Sequence, residues 1–349
     1  MLSTTKTADL AKDSSAYWRI PSRNFRTSAR LHLQHFLFQN TLDNILLSSH
    51  IKESLSTKST IRVADLGCGN GVWLTDLHRS LSSAVPDAML QLHGFDINPT
   101  NFPAAEFLPK SVVLSTVDVL EMPLPAELLG TFDVVHLRAF VSIIRNCDLT
   151  PILTTAISLL KPGGWIQWEE TRADNFMTIS PSPDLPKSAC DGIIHTLRES
   201  GKSQGLDFSF LDSLDRYLIK QGFEEVQLQQ VNKRNADLKA WTEDYLMVWE
   251  ELAEMLPTLD QIPQAGLTKE VFSDLFARAV KETEAGVFLG ITAIIVGGQL
   301  MIVYIGGAAF GVTRIGGILW ANLHDMRPWL PPMCRQPVYN SGARFYLTQ

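Results

Sequence analysis

Three aspartates and three glycines stand in this chain at spacings that suit a ligand with several polar groups. In Val63–Trp73, VADLGCGNGVW, Asp65 comes two residues before Gly67, and Gly69 and Gly71 follow at alternate positions. Glycines so placed let the backbone come close to a ligand, and a helix starting there offers unpaired N–H groups. An acid beside the turn suits a positive amino group, because a cation taken out of water needs a paired anion. Asp96 closes MLQLHGFDIN, a place from which a carboxylate accepts two hydrogen bonds from ribose hydroxyls. Asp118 closes SVVLSTVD and precedes Val119; it is placed to accept from an exocyclic amine such as that of adenine. His136 in TFDVVHLR and Glu169 in GGWIQWEE are the candidates for acid–base work, which helps a hydroxyl acceptor more than a neutral amine. His136 reads more readily as a satisfied histidine at a strand end than as a base. Of Glu169 and Glu170, one reads as bonded to backbone or solvent.

These residues need a frame. Val72 opens a helix with Trp73, Leu74, Leu77 and Leu81 on one face. The run before the glycines, and the four stretches that end in or contain Asp96, Asp118, His136 and Glu169, are short and apolar. Each is expected to be a buried strand. LTPILTTAISLLKPGG reads as a helix with a Lys-Pro-Gly-Gly stop. Five strands with helices between them predict a parallel sheet covered by helices, with ligands at the carboxyl ends of the strands. The glycines do not follow G-x-G-x-x-G, since Val72 stands where the third would be, and no lysine follows to make a P-loop. A nicotinamide dinucleotide is therefore disfavoured.

The flanks differ. Residues 24–50 predict an amphipathic helix from about Ser28 to His50, preceded by an arm at Tyr17-Trp18-Arg19. Residues 171–208, rich in Pro, Ser, Asp and Gly, read as a loop over the site. FLDSLDRYLIKQG reads as a helix stopped at Gly222, followed by the strand FEEVQLQQV. Leu238, Trp241, Tyr245, Trp249 and Leu252 share a helical face that reads as core more than as a substrate box. From Gly286 to Thr313 no residue is charged, a length able to span a bilayer. Val287–Gln299 is β-branched, however, and reads as a last strand pairing antiparallel beside FEEVQLQQV.

The 349 residues, 45% hydrophobic and 19% charged, suit a folded globule. A net charge of −7 argues against a nucleic-acid partner. Cys68, Cys147, Cys190 and Cys334 form no CxxC pair, and the first residues lack an apolar signal core. No metal site is expected, and a reduced cytoplasmic setting is the default.

A charged amino acid, a ribose and an adenine together describe S-adenosylmethionine. VADLGCGNGVW, GFDINP, VDVLEMP, FDVVHLR and LLKPGGWIQWEE occur in the order seen in class I S-adenosylmethionine-dependent methyltransferases. Over roughly residues 17–299 the chain resembles the fungal secondary-metabolism methyltransferases, a group that includes a global regulator of metabolite clusters. The resemblance implies a Rossmann-like, seven-stranded, mostly parallel sheet with an antiparallel last strand. It implies a helical cap over residues 17–50 and lid elements at 171–208 and 233–285. Residues 1–16 would be flexible, and 300–349 would be an atypical extension. Asp65, Gly67, Gly69 and Gly71 would cradle the methionine part, Asp96 the ribose, and Asp118 with Val119 the adenine. The expected activity is methyl transfer to a small, largely apolar acceptor, with O-, N- and S-acceptors open. The alternative is a regulatory protein that keeps the fold and acts through protein partners.

Overall fold

In the computed structural model the described residues are 24–203, 205–254, 256–261, 267–305, 308–315 and 318–321, the last three strands by backbone course only. The expected flexible segment 1–16, the Tyr17–Arg19 arm and residues 322–349 lie outside them. Helices α1 (Phe25–Thr41) and α2 (Ser49–Leu55) lead into strand β1 (Thr60–Leu66), helix α3 (Val72–Ala84), β2 (Met89–Asp96), β3 (Val112–Thr116) and β4 (Phe132–Arg138). Then come α4 (Thr150–Leu159), β5 (Leu160–Thr171), β6 (Met177–Ile179), α5 (Ser188–Ser203), α6 (Leu214–Lys220) and β7 (Phe223–Val231). Helices α7 (Leu238–Ala253) and α8 (Lys269–Glu284), with strands β8 (Phe288–Gly290) and β9 (Ala293–Leu300), complete the main body. Strands β10 (Ile302–Ile305), β11 (Ala308–Ile315) and β12 (Ile318–Ala321) form a separate three-stranded sheet.

The main sheet has seven strands in the order β3-β2-β1-β4-β5-β9-β7. Strands β1 to β5 are mutually parallel, and β9 runs antiparallel between β5 and β7. The doubly wound α/β architecture expected from the sequence, with its antiparallel last strand, is the architecture observed. Side chains alternate across this sheet. Ile61, Val63, Val134 and Trp165 pack with α2 and α3 on one face, while Leu66, Leu137, Trp168 and Val296 pack with α4 and α6 on the other. On the α3 face the apolar residues give way to polar ones toward the carboxyl ends. Val63 is followed by Asp65, Val134 by His136 and Arg138, and Trp165 by Gln167 and Glu169. A third cluster, between α1, α5, α7 and α8, holds Phe38, Ile193, Trp241 and Phe272 above the sheet's carboxyl edge.

Four local expectations are corrected. The helix placed over Ser28–His50 is two: α1 stops at Thr41, where Asp43 and Asn44 take left-handed φ values of 50° and 61°, and α2 starts at Ser49. Asp118 lies two residues beyond β3, in the loop that follows it. The loop expected at 171–208 contains the sixteen-residue helix α5, which packs on α8 through Cys190. Val287–Gln299 is two strands: β8 pairs with β6, and only β9 joins the main sheet. No helix among the described residues is long and apolar enough to cross a membrane.

Candidate active site

The strand β1 ends in a turn that three left-handed glycines make, with φ of 65° at Gly67, 56° at Gly69 and 74° at Gly71. Gly67 has a second constraint, since a Cβ there would stand 2.8 Å from the Phe140 ring. Gly71 is the N-cap of α3, whose buried face is Trp73, Leu74, Leu77 and Leu81 as the sequence predicts. Asn70 ties the turn to α1: its amide lies 2.7 Å from His32 Nδ1, and its Oδ1 accepts from the Val72 amide at 3.2 Å.

A cavity of about 580 Å³ opens over this turn and the carboxyl ends of β1, β2 and β4. Asp65, Gly67, Gly69, Asp96, Asp118, Val119 and His136 all line it. Gly71 and Glu169 do not; the first shapes the turn, and the second is fully buried beneath the lining. Asp96 accepts from the Gly69 amide through Oδ2 and from the Asn98 amide through Oδ1, both at 2.9 Å. These bonds fix its carboxylate in the cavity wall. Asp118 accepts from the Leu120 amide at 2.9 Å.

Asp65, His136, Arg138 and His35 of the lining belong to a hydrogen-bonded chain that continues beneath it through Glu169. Asp65 and His136 are opposite one another in the β1–β4 register, and Arg138 is opposite Glu169 in the β4–β5 register. His136 Nδ1 lies 2.7 Å from Asp65 Oδ1, and its Nε2 faces Glu169 Oε1 at 3.5 Å. The ring stacks on Trp73 with centroids 3.6 Å apart. Burial alone would lower the imidazole pKa, but the charges of Asp65 and Glu169 and the bonds to them raise it. Glu169 also accepts from Arg138 Nε at 2.7 Å and from Gln167 Nε2 at 2.8 Å. Burial opposes its ionisation, yet the Arg138 and His136 charges take its pKa down to about 2. Both ring nitrogens of His136 are thus turned toward carboxylates, an arrangement that favours its protonated form. Arg138 Nη1 lies 3.0 Å from His35 Nδ1, and His35 Nε2 lies 2.9 Å from Asp76. Burial and the Arg138 charge lower His35 to about 4.

The remaining wall comes from the caps. Arg30, Leu31, Gln34 and His35 of α1, Ile194 and Leu197 of α5, and Tyr245, Trp249 and Leu252 of α7 all face the cavity. The aromatic stripe of α7 is therefore divided: Trp241 is core, while Tyr245 and Trp249 line the space with Phe176. Sequence reasoning missed Arg138 and the α1 residues. Arg138 was legible as the i+2 neighbour of His136 on the same strand face. Nothing in the α1 pattern marks which of its polar residues turn inward.

A methyltransferase-domain family model matches residues 33–228. Methyltransferase grgD of a Penicillium species is 34% identical over 171 residues, covering 48% of this chain and 56% of that protein. N-methyltransferase verN of Clonostachys rogersoniana is 36% identical over 126 residues, covering 36% and 42%. The chain spans about half the length of these curated relatives. Among solved structures, phosphoethanolamine N-methyltransferase 2 of Haemonchus contortus in complex with S-adenosyl-L-methionine aligns at 17% identity and a TM-score of 0.40, over 81% of this chain and 60% of that one. With the family match extending over more than half of its residues, the chain belongs to the methyltransferase-domain family.

Proposed function

We propose that the protein is an S-adenosylmethionine-dependent methyltransferase acting on a small, largely apolar acceptor, with residues 17–299 as its functional unit. The observation that carries this reading is the row of Asp65, Asp96 and Asp118 on one cavity wall, at or just beyond the carboxyl ends of the adjacent strands β1, β2 and β3. Adjacent strands are about 4.8 Å apart, so the row extends over roughly 10 Å. It would offer acceptors, in order, to an ammonium, a ribose and an adenine amine. The residues present fit that group, and Gly67 and Gly69 of the turn line the cavity beside them.

When bound, the sulfonium supplies an already activated methyl group. This chain's residues then have to bind, orient and keep water out. Asp65, held in place by His136, would pair with the ligand's ammonium. Asp96 would accept from the ribose and Asp118 from the adenine, with Val119 against the ring. The caps α1, α5 and α7 close an apolar space for the acceptor. His136 serves in this reading as the group that orients Asp65. The N-methyltransferase names of relatives such as verN support a nitrogen acceptor, and the free thiols of Cys68, Cys147 and Cys190 fit a cytoplasmic setting.

Equilibrium titration tests the reading. Wild-type protein binds S-adenosylmethionine in preference to NAD, and Asp96→Ala weakens that binding by about 1–3 kcal/mol through loss of a charged acceptor. Equal affinity in a folded variant removes Asp96 from the site.

A further inference from the structure

Methylating an N–H or O–H acceptor releases a proton, and most of the cavity's titratable side chains are already engaged. Asp65 holds His136, and His136 lies between two carboxylates. His35 lies between Arg138 and Asp76. Asp96 and Asp118 take backbone amides. The Cys68 thiol is buried, and burial pushes its pKa up.

Tyr245 differs from these. It lines the cavity with its ring edge-on to Phe176, centroids 4.7 Å apart, and its hydroxyl oxygen accepts a hydrogen bond from Lys233 Nζ, an atom that as a neutral amine can also accept one. Lys233, in the segment after β7, is only 8% exposed and does not line the cavity. Its Nζ sits over the Trp241 ring, 3.3 Å from the centroid. A buried amine behind a cavity-lining phenol has no part in the binding scheme above. We propose that Tyr245 and Lys233 form a proton relay, in which the acceptor's proton passes to the Tyr245 oxygen as the tyrosine's own proton passes to Lys233 Nζ.

The relay rests on the methyltransferase reading, and its atoms balance. The acceptor's lone pair forms the new bond to the methyl carbon while the sulfur–carbon bond breaks, its electron pair staying on sulfur. The acceptor's proton goes to Tyr245 oxygen, its bonding pair staying on the acceptor. Tyr245 ends as it began, and the neutral amine of Lys233 becomes an ammonium. The surroundings suit both roles. Burial lowers the Lys233 pKa well below the usual lysine range, although Asp244 opposes it. Burial, with the Asp244 and Glu170 charges, keeps Tyr245 a phenol. The ammonium, once formed, meets the Trp241 face and Asp244. Burial raises Asp244 to about 6, and Arg30 and Gln34 of α1 and Glu251 of α7 also act on it.

Two measurements on the full chain test the relay. In protein labelled at the lysine Cε carbons, Lys233→Met identifies the Lys233 signal by nuclear magnetic resonance. That signal is expected to be a neutral amine near neutral pH, titrating below the other lysines; titration together with them overturns the relay. The second measurement uses methyl-labelled S-adenosylmethionine with a panel of simple phenols, secondary amines and tertiary amines. Transfer to phenols and secondary amines is expected to fall by about 10²-fold or more in Tyr245→Phe, Lys233→Met and Lys233→Arg. Arginine keeps a positive charge and a donor but accepts no proton. A tertiary amine loses no proton on methylation, so its rate should be nearly unchanged. Rescue by Lys233→Arg, or equal loss for the tertiary amine, makes the cluster a structural support and overturns the relay. Tyr245→Phe keeps the ring contacts and decides between relay and support even if Lys233→Met does not fold. Failure of the wild-type protein to bind S-adenosylmethionine in titration is a different result, which overturns the methyltransferase reading itself.

Discussion

At Gly67 two constraints meet in one residue, a φ of 65° and the Phe140 ring 2.8 Å from where a Cβ would stand. Gly67→Ala should therefore cost about 1–2 kcal/mol in backbone strain alone and displace Phe140 from the cavity wall. Urea unfolding and cofactor titration both read this, and wild-type values in both would mean that the ring gives way freely. A larger effect is expected at His136. Without its imidazole, the buried carboxylates of Asp65 and Glu169 lose the partner they share, and removing one partner of a buried ion pair costs about 3–5 kcal/mol. His136→Ala should thus lose stability as well as rate. A variant with wild-type stability and a large rate loss would return His136 to the role of base. The individual residues of this chain were legible as polar groups at strand ends. Their pairing was not, because Asp65 and His136 are 71 positions apart and meet only through strand register.

At the scale of elements, α1 acts as a clamp. Arg30 Nε donates to Glu251 Oε1 of α7 at 3.1 Å, Gln34 donates to Asp244 of α7 at 3.3 Å, and His35 meets Asp76 of α3 at 2.9 Å. Arg30→Met should loosen this cap without touching the sheet. The expected signature is faster amide exchange over residues 25–41, with β1 and β4 unchanged and the cofactor leaving faster. Unchanged exchange in α1 would assign the clamp to its apolar contacts, such as Phe38 edge-on to Trp241. The five parallel strands and α3 were readable from apolar runs and helical spacing. The end of α1 was not, because Leu42, Ile45, Leu46 and Leu47 continue an apolar pattern past the left-handed turn at Asp43 and Asn44. The division of Val287–Gln299 between two sheets was hidden for a similar reason. Ile291 and Thr292, where the chain changes sheets, are β-branched, as are Ile294, Ile295 and Val296 of β9.

Over the whole molecule, two adjacent glutamates give stability opposite dependences on pH. Burial raises Glu170 to about 7, so the folded state holds its proton more tightly than the unfolded state. Its contribution is favourable in acid and declines as pH rises from about 4.5 to about 7. Glu169, held at about 2, contributes above about 4.5 and loses that contribution as pH falls toward 2. Glu170→Gln should remove the decline between about pH 5 and 7, an effect of up to about 3 kcal/mol, and leave the acid limb in place. Urea midpoints measured across that range decide it, and an unchanged slope would mean that the Val141, Trp168 and Thr171 N–H groups keep Glu170 ionised. Truncation tests the architecture. A chain ending after Met301 keeps all seven main strands and should fold and bind cofactor, whereas one ending after Gly286 leaves β5 and β7 without their common neighbour and should aggregate. A folded, binding-competent product of the shorter chain would show that β9 is dispensable. The position of β9, late in sequence and interior in the sheet, also governs how the molecule is made. About 120 residues separate the end of β5 from the start of β9, and at about 5–20 residues per second their synthesis takes roughly 6–25 s. Throughout that interval the nascent polypeptide displays an unpaired, Trp-bearing strand edge on the ribosome, which makes this stage of translation a target for chaperones.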